Sequence, residues 1–181
     1  MSKPPWNDWY HVTIHAYGAW LRGDARGWRT RDHQEHVDGD YKRPPAKGKF
    51  DRLLKQSKSL MKREAVNFDL DIQEFVLRAV VDRLSDNNVE VIVACADSKH
   101  LHVLGKFRDH RPRHWVGLAK KHASHLARQS GLRHEAGGLW GKKCGVKPIN
   151  DRGHQVNVFH YILDHRDEGA IVWHFDMRAG K

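Results

Sequence analysis

Two short apolar runs separated by only three residues constrain the fold more than any other feature of the chain. The first run is rich in β-branched residues and spans Val89–Ala96, and the second spans His100–Phe107, with Asp97-Ser98-Lys99 between them. Such runs are typical of β-strands. Parallel strands need a crossover of a dozen or more residues, so two strands this close must pair antiparallel. The sequence therefore predicts a β-hairpin.

The elements on either side of this hairpin follow a regular order. The patterns predict a first strand over Trp9–Tyr17, a helix that begins near Asp69 and ends at 86–88, a second helix over Arg111–Ser130, a weaker strand from Leu139 toward Val146, and a last helix from Asp151 to about Asp167 capped by Asn150. This order predicts an α+β protein with a ferredoxin-like βαββαβ antiparallel sheet, helices on one face and an additional C-terminal helix.

We expect a single domain over residues 1–181, interrupted by a basic, loop-rich insertion at about 24–66. Arginines alternate there with tryptophans, a combination that suits single-stranded nucleic acid because bases stack and phosphates pair with guanidinium groups. Arg22, Arg26 and Arg29 are therefore candidate DNA-binding residues. An equally weighted alternative is a surface insertion whose tryptophans only attach it to the body of the protein.

The charge of the chain points to a polyanionic partner. Lysine and arginine number 32 against 22 acidic residues, a formal net charge of +10, and nucleic acid is the usual partner of such a small basic protein. Two cysteines do not form a disulfide framework, and neither a signal peptide nor a membrane-spanning run is apparent. We therefore expect a cytoplasmic protein with no membrane association.

Two histidines on the second strand of the hairpin are candidate metal ligands. Side chains alternate along a strand, so His100 and His102 share one face while Leu101 points to the other. Histidine is common in this chain, with 15 copies, so the spacing alone does not distinguish a metal site from a polar strand face.

The last helix supplies the groups that complete a site. Tyr161 and His165 are four residues apart and share a helix face, whereas Val156, Phe159 and Leu163 are expected to bury another side. If the first face packs beside His100 and His102, three imidazoles surround a metal ion next to a phenol. Mg²⁺ or Mn²⁺ held there would polarise a phosphodiester, and Mn²⁺ suits imidazole ligands better.

Three motifs resemble one family. They are Tyr-His-Val-Thr at 10–13 followed by Tyr-Gly-Ala-Trp-Leu-Arg-Gly-Asp at 17–24, Lys-His-Leu-His-Val at 99–103, and His-Tyr-Ile-Leu-Asp-His at 160–165. In this order they resemble the HUH single-tyrosine transposases, which include the REP-associated tyrosine transposases. The likeness extends over most of the chain except roughly 31–69. Relatives often have Gln or Asn at the position of His165, and many have Pro where this chain has Arg166.

The resemblance implies a metal-dependent transposase or nickase that cleaves and rejoins single-stranded DNA and recognises hairpin DNA. It implies Tyr161 as the catalytic nucleophile, which forms a covalent 5′-phosphotyrosine and leaves a free 3′-hydroxyl. It also implies His100, His102 and His165 as ligands of Mg²⁺ or Mn²⁺. Family members act either as monomers or as homodimers that exchange the tyrosine helix.

Further basic side chains are candidates for DNA contact. They are Lys120, Lys121, Arg128, Lys142 and Lys143, for which a solvated surface is the alternative interpretation. A second function also stays open, that of a non-catalytic or domesticated protein that binds single-stranded or hairpin nucleic acid. Modules of the RRM type place aromatic residues on their central strands, and no such pattern is found near Val103–Phe107.

Overall fold

The computed structural model describes residues 5–25, 28, 45–132 and 137–175. Its strands are β1 Trp9–Ala16, β2 Glu90–Ala96, β3 His100–Lys106, β4 Trp140–Pro148 and β5 Ile171–His174. Its α-helices are α1 Asp51–Ser59, α2 Leu70–Asp86, α3 Pro112–Gln129 and α4 Arg152–Asp164, and short 3₁₀ turns cover Trp6–Asp8 and His165–Glu168.

The strands form one antiparallel sheet in the order β4-β1-β3-β2-β5. Apart from the additional helix α1 between β1 and α2, the chain order of the elements from β1 to β4 is the predicted strand, helix, strand, strand, helix, strand. The predicted fold class, α+β with a ferredoxin-like arrangement, is confirmed. The fifth strand, β5, pairs with β2. From the sequence, this C-terminal segment was described only as apolar and was not predicted to be a strand.

The predicted hairpin is present, and Asp97 shapes its turn. Ala96 pairs with Leu101, and Asp97 Oδ1 accepts hydrogen bonds from the backbone N–H groups of Lys99 and His100 at 2.6 Å each. A carboxylate that binds the backbone two and three residues ahead favours a tight turn. The strand β3, which carries His100 and His102, therefore begins directly after a turn that Asp97 holds in place.

The two faces of the sheet are covered by different helices. Val12 and Ile14 of β1, with Leu101 and Val103 of β3, are fully buried on one face. Helices α2 and α3 pack together there, and the indole N–H of Trp140 on β4 donates to the Lys120 carbonyl of α3. Helix α4 crosses the other face, which carries the alternate residues of β1 and β3.

Helix α4 differs from the prediction in its cap and in its buried side. The cap is Asp151, whose Oδ1 accepts from the His154 N–H at 2.8 Å, and not Asn150. The residues buried on α4 are Gln155, Val158 and Ile162. Val158 and Ile162 join the core cluster of Trp9, Leu104 and Cys95, whereas Phe159 and Leu163 pack at its border and Val156 is 37% exposed. The prediction of Val156, Phe159 and Leu163 as the buried side was therefore wrong in part.

The α-helical geometry of α4 ends at Asp164 rather than near Asp167. The chain tightens into the 3₁₀ turn His165–Glu168 and stops at Gly169, whose φ of +87° lies in the left-handed region that favours glycine. His165 thus stands at the junction between the helix and this turn.

Residues 18–65 form a compact unit of their own, separate from the unit of residues 1–17 and 66–181. It contains α1, and the rings of Trp28 and Phe50 meet edge to face with centroids 5.5 Å apart. The predicted insertion at about 24–66 falls almost entirely within this unit. Among the described helices of either unit, none is long and apolar enough to cross a membrane.

Candidate metal and tyrosine site

The register of the two central strands gathers polar side chains on the face that α4 crosses. Thr13 pairs directly with His102, and His15 pairs directly with His100. His11 lies two residues before Thr13 and is therefore on the same face of β1. The ring centroids of His11 and His102 are 5.2 Å apart, and those of His15 and His100 are 5.1 Å apart. Hydrogen bonding along β1 and β3 therefore fixes four imidazoles at one place on the sheet.

Helix α4 brings the other two predicted residues to this place. Because Val158 and Ile162 anchor the helix on the sheet, the neighbouring face of α4 lies over the histidines. The Tyr161 ring is 5.7 Å from the His102 ring and 4.8 Å from the His165 ring. His102 and His165 are stacked with centroids 5.0 Å apart. Residues separated by some sixty positions in the sequence are thus brought into contact.

Tyr161 is not a core residue, although it lies on an amphipathic helix. Its exposed fraction is 49%, one of the largest among the large hydrophobic residues of the described part. Its ring borders His102 and His165 and also meets His11 edge to face at 5.9 Å. Tyr161 is therefore half exposed while its ring is in contact with imidazoles.

Each of the three candidate ligands is held through the same nitrogen, Nδ1. His100 Nδ1 lies 3.0 Å from Asp97 Oδ2, and His165 Nδ1 lies 3.2 Å from Glu168 Oε2. His102 Nδ1 lies 3.0 Å from His11 Nε2 and 3.3 Å from Thr13 Oγ1. Because these contacts all involve Nδ1, a metal ion at this place would have to bind the three rings through Nε2.

This pattern fits a metal site. Histidines that bind a metal commonly hold their other nitrogen against a carboxylate or another polar partner, which orients the ring. His165 Nε2 is buried and has no hydrogen-bond partner in the described part of the chain. Among the described residues, no three His, Cys, Asp or Glu side chains are already close enough together to hold one metal ion. Since His102 and His165 are nearly parallel, with 16° between their planes, one ring must turn for both to bind a single ion.

Burial keeps several of these imidazoles neutral. It lowers the pKa of His102 to about 3, with a further contribution from His11 and His165, and it lowers the pKa of His11 and of His15 to about 4. Burial alone would raise the pKa of Asp97, but hydrogen bonds from the His100 side chain and the Lys99 N–H lower it to about 2. Neutral imidazole is the form that binds metal ions.

These pKa values predict that the metal-free protein loses stability in mild acid. Below about pH 6.5 the unfolded chain binds a proton at His102 that the folded protein does not bind, so the free energy of unfolding falls as the pH falls, down to the folded pKa of about 3. The expected loss is about 1.4 kcal/mol per pH unit for this residue. Urea unfolding in EDTA at about pH 7, 6 and 5 measures it. His102→Gln should reduce the pH dependence of the free energy of unfolding by the equivalent of about one proton. If the wild type has the same free energy of unfolding at all three pH values, the prediction is contradicted.

Four of the predicted DNA-binding residues surround one cavity. A cavity of about 490 Å³ between α3 and β4 is lined by Lys120, Lys121, Arg128 and Lys142, together with glycines, Ser124, His125 and Trp140. The Lys120 ammonium donates to the Gly141 carbonyl at 2.7 Å, and burial lowers its pKa. The cavity lies between α3 and β4, and Tyr161 is not among the residues that line it.

The remaining predicted DNA-binding residues lie elsewhere. Lys143 is not among the residues that line the cavity, and it lies between Trp140 and Cys144, where the register of β4 against β1 shifts. The guanidinium of Arg22 lies over the Trp28 ring, 5.7 Å from its centroid. Arg26 and Arg29 lie outside the described residues.

Sequence reasoning did not assign the residues that hold the imidazoles. The sequence alone places His11 and Thr13 on one face of the first strand, which either approaches a substrate or, as the more ordinary explanation, is a partly exposed polar face, and it places Asp97 in a turn. Glu168 lies at the end of the last predicted helix. The alternation of His11, Thr13 and His15 was the available signal, but only the register of β1 against β3 shows which imidazole each one meets.

Comparison of the chain with protein-family models gives no match, and comparison with curated proteins gives none either. The likeness to the HUH single-tyrosine transposases therefore rests on the three motifs quoted above.

Proposed function

We propose that this protein is a metal-dependent enzyme that cleaves and rejoins single-stranded DNA through a covalent 5′-phosphotyrosine at Tyr161. The observation that supports this most is the position of Tyr161, half exposed on α4 and in ring contact with both His102 and His165. An attacking phenol must reach its substrate and must lie beside groups that activate the reaction. A tyrosine that served only the core would be buried among apolar side chains.

The chain's own residues supply position and the nucleophile. In the proposed reaction, Tyr161 Oη attacks the phosphorus of a phosphodiester, the Oη–P bond forms and the P–O3′ bond breaks. The phenol gives up its proton, and the departing O3′ takes one up to become a free hydroxyl. Because the phosphotyrosine retains a phosphodiester bond, the reverse attack by a 3′-hydroxyl rejoins the strand.

The metal requirement is assigned to the three histidines. His100, His102 and His165 would hold Mn²⁺ or Mg²⁺ through Nε2, since Nδ1 is engaged in each ring. Such an ion, when bound, polarises the phosphodiester and neutralises charge that develops on its oxygens. In this proposal the carboxylates of Asp97 and Glu168 orient the His100 and His165 rings through their contacts with Nδ1.

The basic cavity between α3 and β4 is proposed to contact phosphate groups of the bound DNA. Each neutralised phosphate contributes about 0.7 to 0.9 to the slope of log affinity against log salt. Replacing Arg128 and Lys142 together by glutamine should therefore weaken binding of single-stranded and hairpin DNA and reduce that slope by about 1 to 2. Fluorescence anisotropy between about 50 and 200 mM salt measures both quantities.

Arg78 provides the matched control for this experiment. It lies on α2, is 60% exposed in its side chain, and pairs with Glu74 at 2.9 Å. Arg78→Gln should leave the affinity and the salt slope unchanged. If the Arg128 and Lys142 variant binds DNA as the wild type does, the cavity is not part of the DNA-binding surface.

A second function, non-catalytic binding of hairpin or single-stranded nucleic acid, uses the same basic cavity but needs no nucleophile. An RRM-type mode is disfavoured, because β1 and β3 present histidines and a threonine on the face opposite α2 and α3. The binding-only function predicts DNA affinity without any covalent product.

The direct test is a denaturing gel of the protein incubated with a pool of labelled single-stranded DNA that includes hairpins. In the proposed reaction the downstream fragment stays on Tyr161 through its 5′ phosphate. A 3′-end label should therefore migrate with the protein, and a 5′-end label should leave with the free strand. Both outcomes should require Mn²⁺ or Mg²⁺ and disappear in EDTA. DNA binding with no labelled protein under any metal would favour the binding-only function.

A further inference from the structure

The orientation of His102 depends on two residues of the neighbouring strand. His102 Nδ1 is within hydrogen-bond distance of His11 Nε2, at 3.0 Å, and of Thr13 Oγ1, at 3.3 Å. Thr13 lies directly opposite His102 in the β1–β3 register, and His11 is its diagonal neighbour on the same face. Both contacts are therefore built into the pairing of the strands.

Two partners at one ring nitrogen restrict the tautomer of His102. A neutral imidazole carries a hydrogen on one nitrogen and a single in-plane lone pair on the other. One lone pair accommodates one donor well, whereas one N–H can be shared between two acceptors in a three-centre bond. His11 Nε2 and Thr13 Oγ1 can both accept. The contact pair is thus best satisfied when Nδ1 carries the hydrogen.

We infer that His11 and Thr13 are positioning residues that hold His102 as its Nδ1–H tautomer, which places the lone pair of the ring on Nε2. The inference about the tautomer concerns the metal-free protein, and its consequence for a divalent ion rests on the proposed function. The opposite tautomer would place a hydrogen on Nε2, where it would block coordination.

His102 differs from the other two candidate ligands in the chemical type of the partners at its Nδ1. His100 and His165 are held by carboxylates, those of Asp97 and Glu168, whereas the described partners of His102 Nδ1 are both neutral side chains. His11 also meets the Tyr161 ring at 5.9 Å. One residue therefore contacts a candidate ligand and the candidate nucleophile at once, and its loss should affect the ligand first.

Nitrogen-15 NMR of the histidine side chains in the metal-free protein tests the tautomer directly. The wild type should show His102 with a protonated Nδ1 and an unprotonated Nε2. Thr13→Val, which keeps the shape of the side chain but removes the acceptor, should weaken this preference, and combining it with His11→Leu should give a mixture of tautomers. A wild-type His102 protonated mainly at Nε2 would overturn the inference.

Titration with Mn²⁺ alone supplies the second readout. Loss of a partner that orients a metal-binding histidine typically costs about 10- to 100-fold in affinity, and that loss is expected for His11→Leu with Thr13→Val. His11→Gln and Thr13→Ser retain an acceptor and should bind Mn²⁺ nearly as the wild type does. Circular dichroism confirms that each variant is folded, and if the double variant fails to fold, Thr13→Val and His11→Gln provide the comparison.

The two proposals fail in different ways. If the wild type binds Mn²⁺ and the folded double variant binds it equally well, the positioning role is wrong while the proposed function stands. If the wild type neither binds Mn²⁺ nor forms a DNA adduct, the proposed function is wrong, and the NMR spectrum of the metal-free protein still decides the tautomer.

Discussion

Replacing Tyr161 by phenylalanine is expected to abolish covalent attachment of DNA to the protein while leaving DNA binding intact. The substitution removes one oxygen, the atom proposed to attack the phosphorus. Loss of a nucleophile costs several orders of magnitude in rate, so we expect a decrease of more than about 1,000-fold. The labelled-adduct gel measures the decrease, and fluorescence anisotropy measures binding.

Binding and folding should survive because of where Tyr161 lies. Tyr161 is 49% exposed, and it is not among the residues that line the α3–β4 cavity. Tyr17→Phe, at the end of β1, is the matched control and should form the adduct normally. Strand cleavage that persists in Tyr161→Phe would show that Tyr161 is not the nucleophile.

Replacing His102 by alanine is expected to abolish Mn²⁺ binding and adduct formation together. His102 is 8% exposed, contacts the rings of His11, Tyr161 and His165, and is the central candidate ligand. Removing a ligand should weaken Mn²⁺ binding at least as much as removing its hydrogen-bond partner, so we expect a loss of more than about 100-fold. Calorimetric titration with Mn²⁺ and the adduct gel measure the two effects.

A buried histidine leaves a cavity when truncated, so a second variant is needed. His165→Ala removes a candidate ligand whose side chain is 14% exposed at the end of α4, outside the central strands. His160→Ala, an exposed histidine next to Tyr161, is the control and should retain Mn²⁺ binding. Full adduct formation by folded His102→Ala and His165→Ala would remove the metal from the proposed mechanism.

Local spacing explains why much of the fold could be predicted. Three residues between two strands leave only a hairpin, and clear helix patterns on either side leave few orders of elements. The same local geometry predicted that His100 and His102 share a strand face and that Tyr161 and His165 share a helix face. These pairs depend only on residues two or four apart, for which backbone periodicity is sufficient.

What the sequence could not specify depends on how the elements meet. Helix α4 has apolar residues around most of its circumference, so periodicity did not distinguish Val158 and Ile162 from Phe159 and Leu163 as the buried side. The partners of His102 require the register of β1 against β3, to which residues 9–16 and 100–106 contribute from distant parts of the chain. The last helix was expected to continue to about Asp167, whereas its α-helical geometry ends at Asp164 and the turn His165–Glu168 follows.

Peptide mapping of the protein–DNA adduct by mass spectrometry tests the central claim most directly. After incubation with single-stranded DNA and Mn²⁺, nuclease and protease digestion should leave a nucleotide phosphate on the peptide that contains Tyr161, and on no other tyrosine. An adduct at a different residue would contradict the account. So would intact DNA that binds the protein stably but forms no covalent bond with it, whichever metal ion is added.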